Sequence, residues 1–511
     1  MPNGTTPRTT TPRTTTLGTT TLGKWWPLAA ICAGTLMLLI DITIVNVALP
    51  DMARALHTTF ADLQWVIDLY ALVLGAMVLT VGSLADRFGR RRVYVLGLVL
   101  FAASSLTCGL APNVGVLIAA RGVQGIGAAA MFASTMALIS GAYSGRDRGV
   151  AFGTWGAVAG AASAVGPIVG GLLTANAGWR WIFLVNLPVS VAAVALTLRV
   201  ITESRDPRPR RMDLPGMASF TIAAAALTYA LIRGDWRTPL TITLLVVTAV
   251  ALLVFAGIER TRKDPMLDLA LLRNGPFTAT TVAGALLSAA AWAAMTYQSL
   301  WLQSVLGLSA ISAGLVFLPC SIAAFAVSAA VGRVMHRTSP RMLIGGGLLV
   351  IAAGALAQAF LRTPDGWLRE IPGLVLVGGG AGLAIAPLSS TAMAAVPGER
   401  AGMAAGALNT FRQLGYALGI AILGDVFRSG LTRTAGPALA APLSGGQAAA
   451  IMARSRSLDQ VVRHAFANAL DTTFLIAAAL AVIGAALVFA LVRRPAPDPV
   501  EEQPEELVAD R

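Results

Sequence analysis

Charge is scarce in this chain: 12% of its 511 residues are charged and 56% are hydrophobic, against roughly a quarter charged in a soluble domain. A water-soluble fold is excluded and a polytopic membrane protein implied. The three cysteines, Cys32, Cys108 and Cys320, all fall in apolar stretches. A thiol there packs as a small hydrophobe, which leaves neither a disulfide framework nor a thiolate metal site. Histidine is as rare, and His57, His336 and His464 read as loop residues. A histidine relay through the bilayer is therefore excluded, and proton chemistry falls to carboxylates. The sequence also lacks a P-loop, a His-rich metal motif and a soluble catalytic domain, so it reads as a non-enzyme with no cofactor and no metal. The formal net charge of +13 requires no nucleic acid, because basic loops that orient helices account for it. The expected partners are the lipid bilayer, protons and a small-molecule substrate, with the chain acting as a monomer.

Long apolar runs are abundant. After a Thr/Pro/Gly-rich tail, residues 1–24, too polar to fold, fourteen apolar spans succeed one another from Trp25 to about residue 492. An even number puts both termini on one side. Most Lys and Arg fall on that side, which makes the tails cytoplasmic and the membrane the plasma membrane. Comparing the two ends of the chain shows a repeat. Gly82–Arg87 faces Gly332–Arg337, Gly125 and Gly127 face Gly380 and Gly382, and Gly153, Gly166 and Gly171 face Gly406, Gly419 and Gly424. The expected fold is all-α, fourteen transmembrane helices arranged as 6+2+6. Its parts are a six-helix bundle over 25–200, linking helices seven and eight over 201–260, and a second bundle over 275–493. That second bundle carries a long outer loop at 428–471, and a cytoplasmic tail follows over 494–511. Repeated halves around a midplane site are typical of alternating-access transporters.

Within the first span, LMLLIDITIVNVALP places Asp41 among apolar residues. A charge at that depth costs about 2.5–3.5 kcal/mol, so it marks a functional site unless it merely pairs with a neighbouring helix for assembly. Arg121, in LIAARGVQGIGAA of the fourth span, lies at a depth near that of Asp41, which permits an ion pair, and shares a helix face with Gln124 and Gly125. Asp68 near the outer face and Arg412 near mid-membrane are further candidate proton or substrate groups. The loop GSLADRFGRRR sets Gly82, Asp86, Arg87, Gly89 and Arg90 together. It serves either as a latch, with Asp86 accepting from arginines or helix N-termini, or as a positive-inside anchor. In the fifth span Gly153, Gly156, Gly160, Ser163, Pro167 and Gly171 form a stripe of small residues, suited to close helix approach and, at the proline, to a bend.

These motifs carry a resemblance. GSLADRFGRRR matches the signature of the major facilitator superfamily at every fixed position, and the Arg121 segment resembles the fourth-helix motif of its proton-coupled exporters. Ala161–Gly171, AASAVGPIVGG, resembles the Gly-Pro-x-x-Gly-Gly signature of exporting members, and there Gly166, Pro167, Gly170 and Gly171 are the expected hinge. DITIVNVALP and WRWIFLVNLP resemble the fourteen-helix drug:proton antiporter family. The resemblance implies proton-driven export of small, lipophilic drugs or antibiotics, and the intramembrane acids Asp41 and Asp68 favour cationic or neutral ones over organic anions. The alternative is a dedicated exporter of one self-made metabolite, and a membrane sensor or enzyme stands further off.

Overall fold

The computed structural model describes residues 23–58, 60–205, 213–233, 238–262, 265, 267–335, 337–361, 366–397 and 401–492. Every extended element among them is a helix. In chain order these are α1 (Trp26–Leu56), α2 (Phe60–Phe88), α3 (Arg90–Gly109), α4 (Val114–Ala142), α5 (Gly145–Ala177), α6 (Trp181–Leu184), α7 (Asn186–Val200), α8 (Leu214–Arg233), α9 (Pro239–Thr261), α10 (Gly275–Leu287), α11 (Ala294–Ser304), α12 (Ala310–Val316), α13 (Leu318–Val334), α14 (Pro340–Leu361), α15 (Ile371–Ala394), α16 (Ala401–Ala435), α17 (Pro437–Ser444), α18 (Ala448–Met452) and α19 (Arg456–Leu491). Among the described residues twelve helices are long and apolar enough to cross a membrane, and the shorter apolar helices Ile168–Ala177 and Leu318–Val334 accompany them. The all-α, multi-pass architecture expected from composition is present. Most of both tails, residues 1–22 and 493–511, lies outside the described residues, as does His336.

Three spans expected as continuous are interrupted. The sixth breaks at Val185 between α6 and α7, where Pro188 has no N–H for the Leu184 carbonyl and its ring crowds that carbonyl. The tenth breaks at Phe317 in the same way, with Pro319 facing the carbonyl of Leu315. The ninth holds a π-helical turn, Ser288–Ala293, between α10 and α11. Two expectations are corrected. Segment 428–471 is mostly helical, because α16 runs on to Ala435, α17 and α18 follow, and α19 starts at Arg456. His464 therefore sits on α19, not in a loop. Hydropathy marks where a helix leaves the apolar layer, and a helix whose backbone bonds are internal can continue into water.

In the first part of the chain α1 packs on α5 and α7, and α4 packs between α2 and α3. In the last part α15 packs on α13 and α14, while α19 packs on α14, α10 and α16. Helices α8 and α9 pair with each other. Helix α8 leans on α2 through a Thr80–Thr221 hydroxyl contact of 3.1 Å and a Trp65–Tyr229 ring pair at 5.4 Å. The two halves meet where α5 crosses α13 and α16 crosses α2 and α4. Hydrogen bonds cross that seam from Met403 N to Asp86 Oδ2 (2.8 Å), from Asn409 Nδ2 to the Phe132 carbonyl (3.1 Å) and from Ser328 Oγ to the Gly153 carbonyl (3.0 Å). All lie toward the end of the bundle that carries the α2–α3 turn. A methyl at Gly153 would come within 2.6 Å of Gly332 Cα, so α5 and α13 cross at backbone contact.

Candidate functional site

Asp41 is fully buried, with Ile44, Val45 and Ala48 in one apolar cluster on one side and Met37 and Leu38 in another on the other. Into this gap α4 sends Arg121, whose Nη1 donates to Asp41 Oδ2 at 2.5 Å; the two side chains are 1% and 0% exposed. The guanidinium is filled further by donation from Nη1 to Gln124 Oε1 (2.8 Å) and from Nε to the Val66 carbonyl (3.0 Å). It stacks 4.0 Å from the Tyr70 ring centroid, a cation–π contact that strengthens when water is excluded. The expectation that equal depth would allow the pair is met.

The other carboxylate oxygen belongs to neutral groups. Asp41 Oδ1 accepts from Gln124 Nε2 and Asn186 Nδ2, each at 3.1 Å. Both amides also donate to Ser105 Oγ, at 2.7 and 3.1 Å, and the Cys108 thiol points to Gln124 Oε1 at 3.8 Å. Five helices thus meet at one ion pair: α1, α2, α3, α4 and α7. Taking two charges out of water costs several kcal/mol per ion, which geometry of this quality and saturation of the remaining lone pairs offset. Loss of the charge on Asp41 would leave a buried cation behind.

The small stripe of α5 rests on the same turn of α1. A methyl at Gly166 would overlap Thr43 Oγ1, and one at Gly170 would stand 2.9 Å from Ile44 Cγ1 and from the Ile44 carbonyl. Gly171 is buried on the same helix. The surroundings of Gly160, Ser163 and Pro167 lie outside what the structure describes. Nearer the other end of α5, Gly153 meets Gly332, and a methyl at Gly156 would meet Ser328 Oγ at 2.7 Å. One helix therefore packs on the Asp41 turn with one end and on the opposite half with the other.

At the α2–α3 turn Asp86 is buried and divided between two partners. Arg90 Nη2 and Nε donate to Oδ1 at 2.7 and 3.0 Å, and the N-terminal amide of Met403 on α16 donates to Oδ2. Both kinds of donor expected for this acid are present. Gly82 is buried within α2, and Arg87 lies over the Phe88 ring. Gly89 has φ +108°, and a side chain there would press on the Glu203 carboxylate, 2.6 Å away. That carboxylate accepts from the Arg91 and Arg92 amides at the start of α3, where an anion is favoured. Glu203 is a partner that sequence alone did not suggest.

Asp68 and Arg412 do not join the Asp41 cluster. Asp68 is partly exposed, and no hydrogen bond links it to another described residue. Arg412 packs against Gly284 of α10, and its Nη1 is buried with no hydrogen-bond partner among the described residues. Glu370, which the sequence does not single out, is fully buried at the head of α15 and hydrogen-bonded to the equally buried Gln298. Asn186, Ser105 and Tyr70 were also overlooked as site residues. Asn186 had a signal, an amide in an apolar span two residues before a proline; Ser105 and Tyr70 had none that separates them from ordinary packing.

Along most of its length the chain is similar to known proteins. The chain is 38% identical over 416 residues to the multidrug resistance protein Stp of Mycobacterium tuberculosis (strain CDC 1551 / Oshkosh), covering 81% of this chain and 77% of that one. It is 37% identical to the puromycin resistance protein pur8 of Streptomyces alboniger, over 79% of this chain and 82% of that one. With the tetracenomycin C resistance and export protein of Streptomyces glaucescens it shares 32% identity across 94% of each. The crystal structure of the human organic anion transporter MFSD10 (TETRAN) superposes with a TM-score of 0.61 over 91% of this chain and 99% of that one, at 16% identity, a likeness of fold. The sequence profile of the Major Facilitator Superfamily matches residues 31–420, a stretch that takes in the Asp41–Arg121 pair, the α2–α3 turn and the α5 stripe, and the chain belongs to that superfamily.

Proposed function

We propose that this chain is a proton-coupled antiporter that exports small lipophilic drugs or antibiotics from the cytoplasm by alternating access, as a fourteen-helix 6+2+6 member of its superfamily. The observation that carries the reading is the Asp41–Arg121 pair, a dry carboxylate held by one cation and two amides. Protonation of Asp41 would cancel its attraction for Arg121 and free the guanidinium to re-pair. A change in charge at a packed junction of five helices can then bias two arrangements of the bundle. Resistance and export proteins among the relatives support the outward direction. On this reading the end with the α2–α3 turn faces the cytoplasm of a plasma-membrane protein, the Asp86 bonds to Arg90 and Met403 latch that side shut, and Gly166, Pro167, Gly170 and Gly171 let α5 rock against α1. Both halves lie in one chain, so a monomer suffices.

Everted membrane vesicles test the proposal. Addition of a substrate should collapse part of an imposed proton gradient, and in the Asp41→Asn variant it should not; a gradient indifferent to every exported compound would refute proton coupling. A second reading, a dedicated exporter of one self-made antibiotic, draws on the match to the tetracenomycin C resistance and export protein across 94% of both chains. A resistance screen in a pump-deficient host separates the two, because a dedicated exporter protects against one chemical class.

A further inference from the structure

The sixth span breaks where it touches the ion pair. Before Val185, Phe183 on α6 places its ring 5.9 Å from the Arg121 guanidinium. After it, Asn186, the first residue of α7, donates to Asp41 Oδ1. One turn further on, Ser190 Oγ contacts Met37 Sδ at 3.2 Å, so α7 faces α1 through two polar rungs four residues apart on each helix. Asn186 is 3% exposed and Ser190 1%, which leaves neither free to turn to water.

We infer that Asn186 is a positioning residue through which the break in the sixth span senses whether Asp41 carries a proton. This rests on the reading of Asp41 as the proton site. Oδ2 is committed to Arg121, so an incoming proton binds Oδ1, the oxygen that accepts from the two amides. Once O–H replaces the lone pair, Gln124 and Asn186 cannot both keep donating to it. Gln124 is anchored by Arg121 Nη1 and by Ser105 on its own side of the site. Among the described residues the side chain of Asn186 is hydrogen-bonded to Asp41 and Ser105 alone, and it stands at an existing helix break, where a change in backbone angle disturbs the fewest hydrogen bonds. The amide of Asn186 therefore turns, and α7 shifts relative to α6. The other titratable or charged groups around Asp41 are Arg121 on α4, Tyr70 on α2 and Cys108 on α3, with Asp68 two residues from Tyr70.

Infrared difference spectroscopy of the full-length protein in lipid, titrated with acid and base, tests this without any substrate. The protonated-carboxyl band that Asp41→Asn removes reports the Asp41 midpoint. Asn186→Leu, close in volume, takes one N–H donor from the ionised form, so the proton is held more tightly and the midpoint moves to higher pH by about one unit. Asn186→Ala should move it in the same direction and serves if the leucine variant fails to insert. Substrate-free proteoliposomes doped with either variant should also show weakened pH-dependent change in the amide bands. A midpoint unchanged in whichever variant inserts overturns the inference while leaving Asp41 as the proton site. A spectrum with no band sensitive to Asp41→Asn overturns both.

Discussion

The pair formed by Asp41 and Arg121 is hard to explain as a stability device. Replacing a buried ion pair by apolar residues of similar size is often neutral or stabilising, whereas removing one partner is costly because it strands the other charge. Asp41→Asn keeps the shape but strands the buried Arg121 cation, so it should insert with lowered stability and lose gradient-driven export; drug accumulation in cells with matched membrane expression checks this. Arg121→Met leaves a buried carboxylate instead and should lower stability by about 3–5 kcal/mol at neutral pH. The double variant Asp41→Asn/Arg121→Met should regain most of that loss, and thermal unfolding in detergent as a double-mutant cycle measures it. At this scale the sequence showed the charges and hid their neighbours. Asp41 and Arg121 stand out because charge is expensive in a bilayer, while Ser105 and Tyr70 become site residues only when α2 and α3 fold against α4.

Helices bring the next constraint, because α5 has no slack where it touches α1. Gly170→Leu would drive its side chain into Ile44, overlapping the turn that carries Asp41. Transport should fall to background while substrate binding to the purified protein stays within a fewfold of the parent, and turnover near normal would refute a moving α5–α1 contact. Asp86→Asn acts at the other crossing, where a neutral amide accepts less strongly from Arg90 and from the α16 N-terminus. The latch should loosen and cysteine cross-linking across the α2–α16 seam should drop, with no change if the turn is only a charge anchor. The positions of the spans could be read from hydropathy, since about 20 apolar residues cross a bilayer. Their breaks could not. Pro188 and Pro319 each disrupt a helix, yet Pro387 sits inside unbroken α15, so the outcome depends on what neighbouring helices supply to the freed carbonyl.

Over the whole molecule the internal repeat has a geometric counterpart. Gly82 and Gly332 are repeat partners, as are Gly153 and Gly406. In the structure Gly153 of α5 meets Gly332 of α13, while Gly406 of α16 lies 3.2 Å, by its would-be methyl, from Leu79 of α2, one turn from Gly82. The two crossings pair corresponding helices, and at each a repeated glycine, Gly153 or Gly406, lets the backbones come close. Charge does not follow that symmetry, for Leu376 stands where Arg121 would repeat, and this asymmetry bears on substrate choice. Asp41 is already balanced by Arg121, and among the described residues no hydrogen bond reaches Asp68 in the first half or the Arg412 Nη1 group in the second. A neutral lipophilic compound needs neither, since apolar burial at about 25 cal/mol per Å² can supply its binding. A monocation gains from Asp68. A dianion finds one arginine for two charges, and a second charge held near Asp68 meets repulsion of about 4 kcal/mol at 4 Å under an effective dielectric constant of 20. Neutral antibiotics and ethidium-like monocations should therefore compete for efflux and outrun dianionic dyes. Asp68→Asn should lower monocation efflux severalfold while sparing the neutral compounds. Faster export of a dianionic dye than of ethidium, or equal loss of both classes in Asp68→Asn, would show that fixed charge does not select the substrate here.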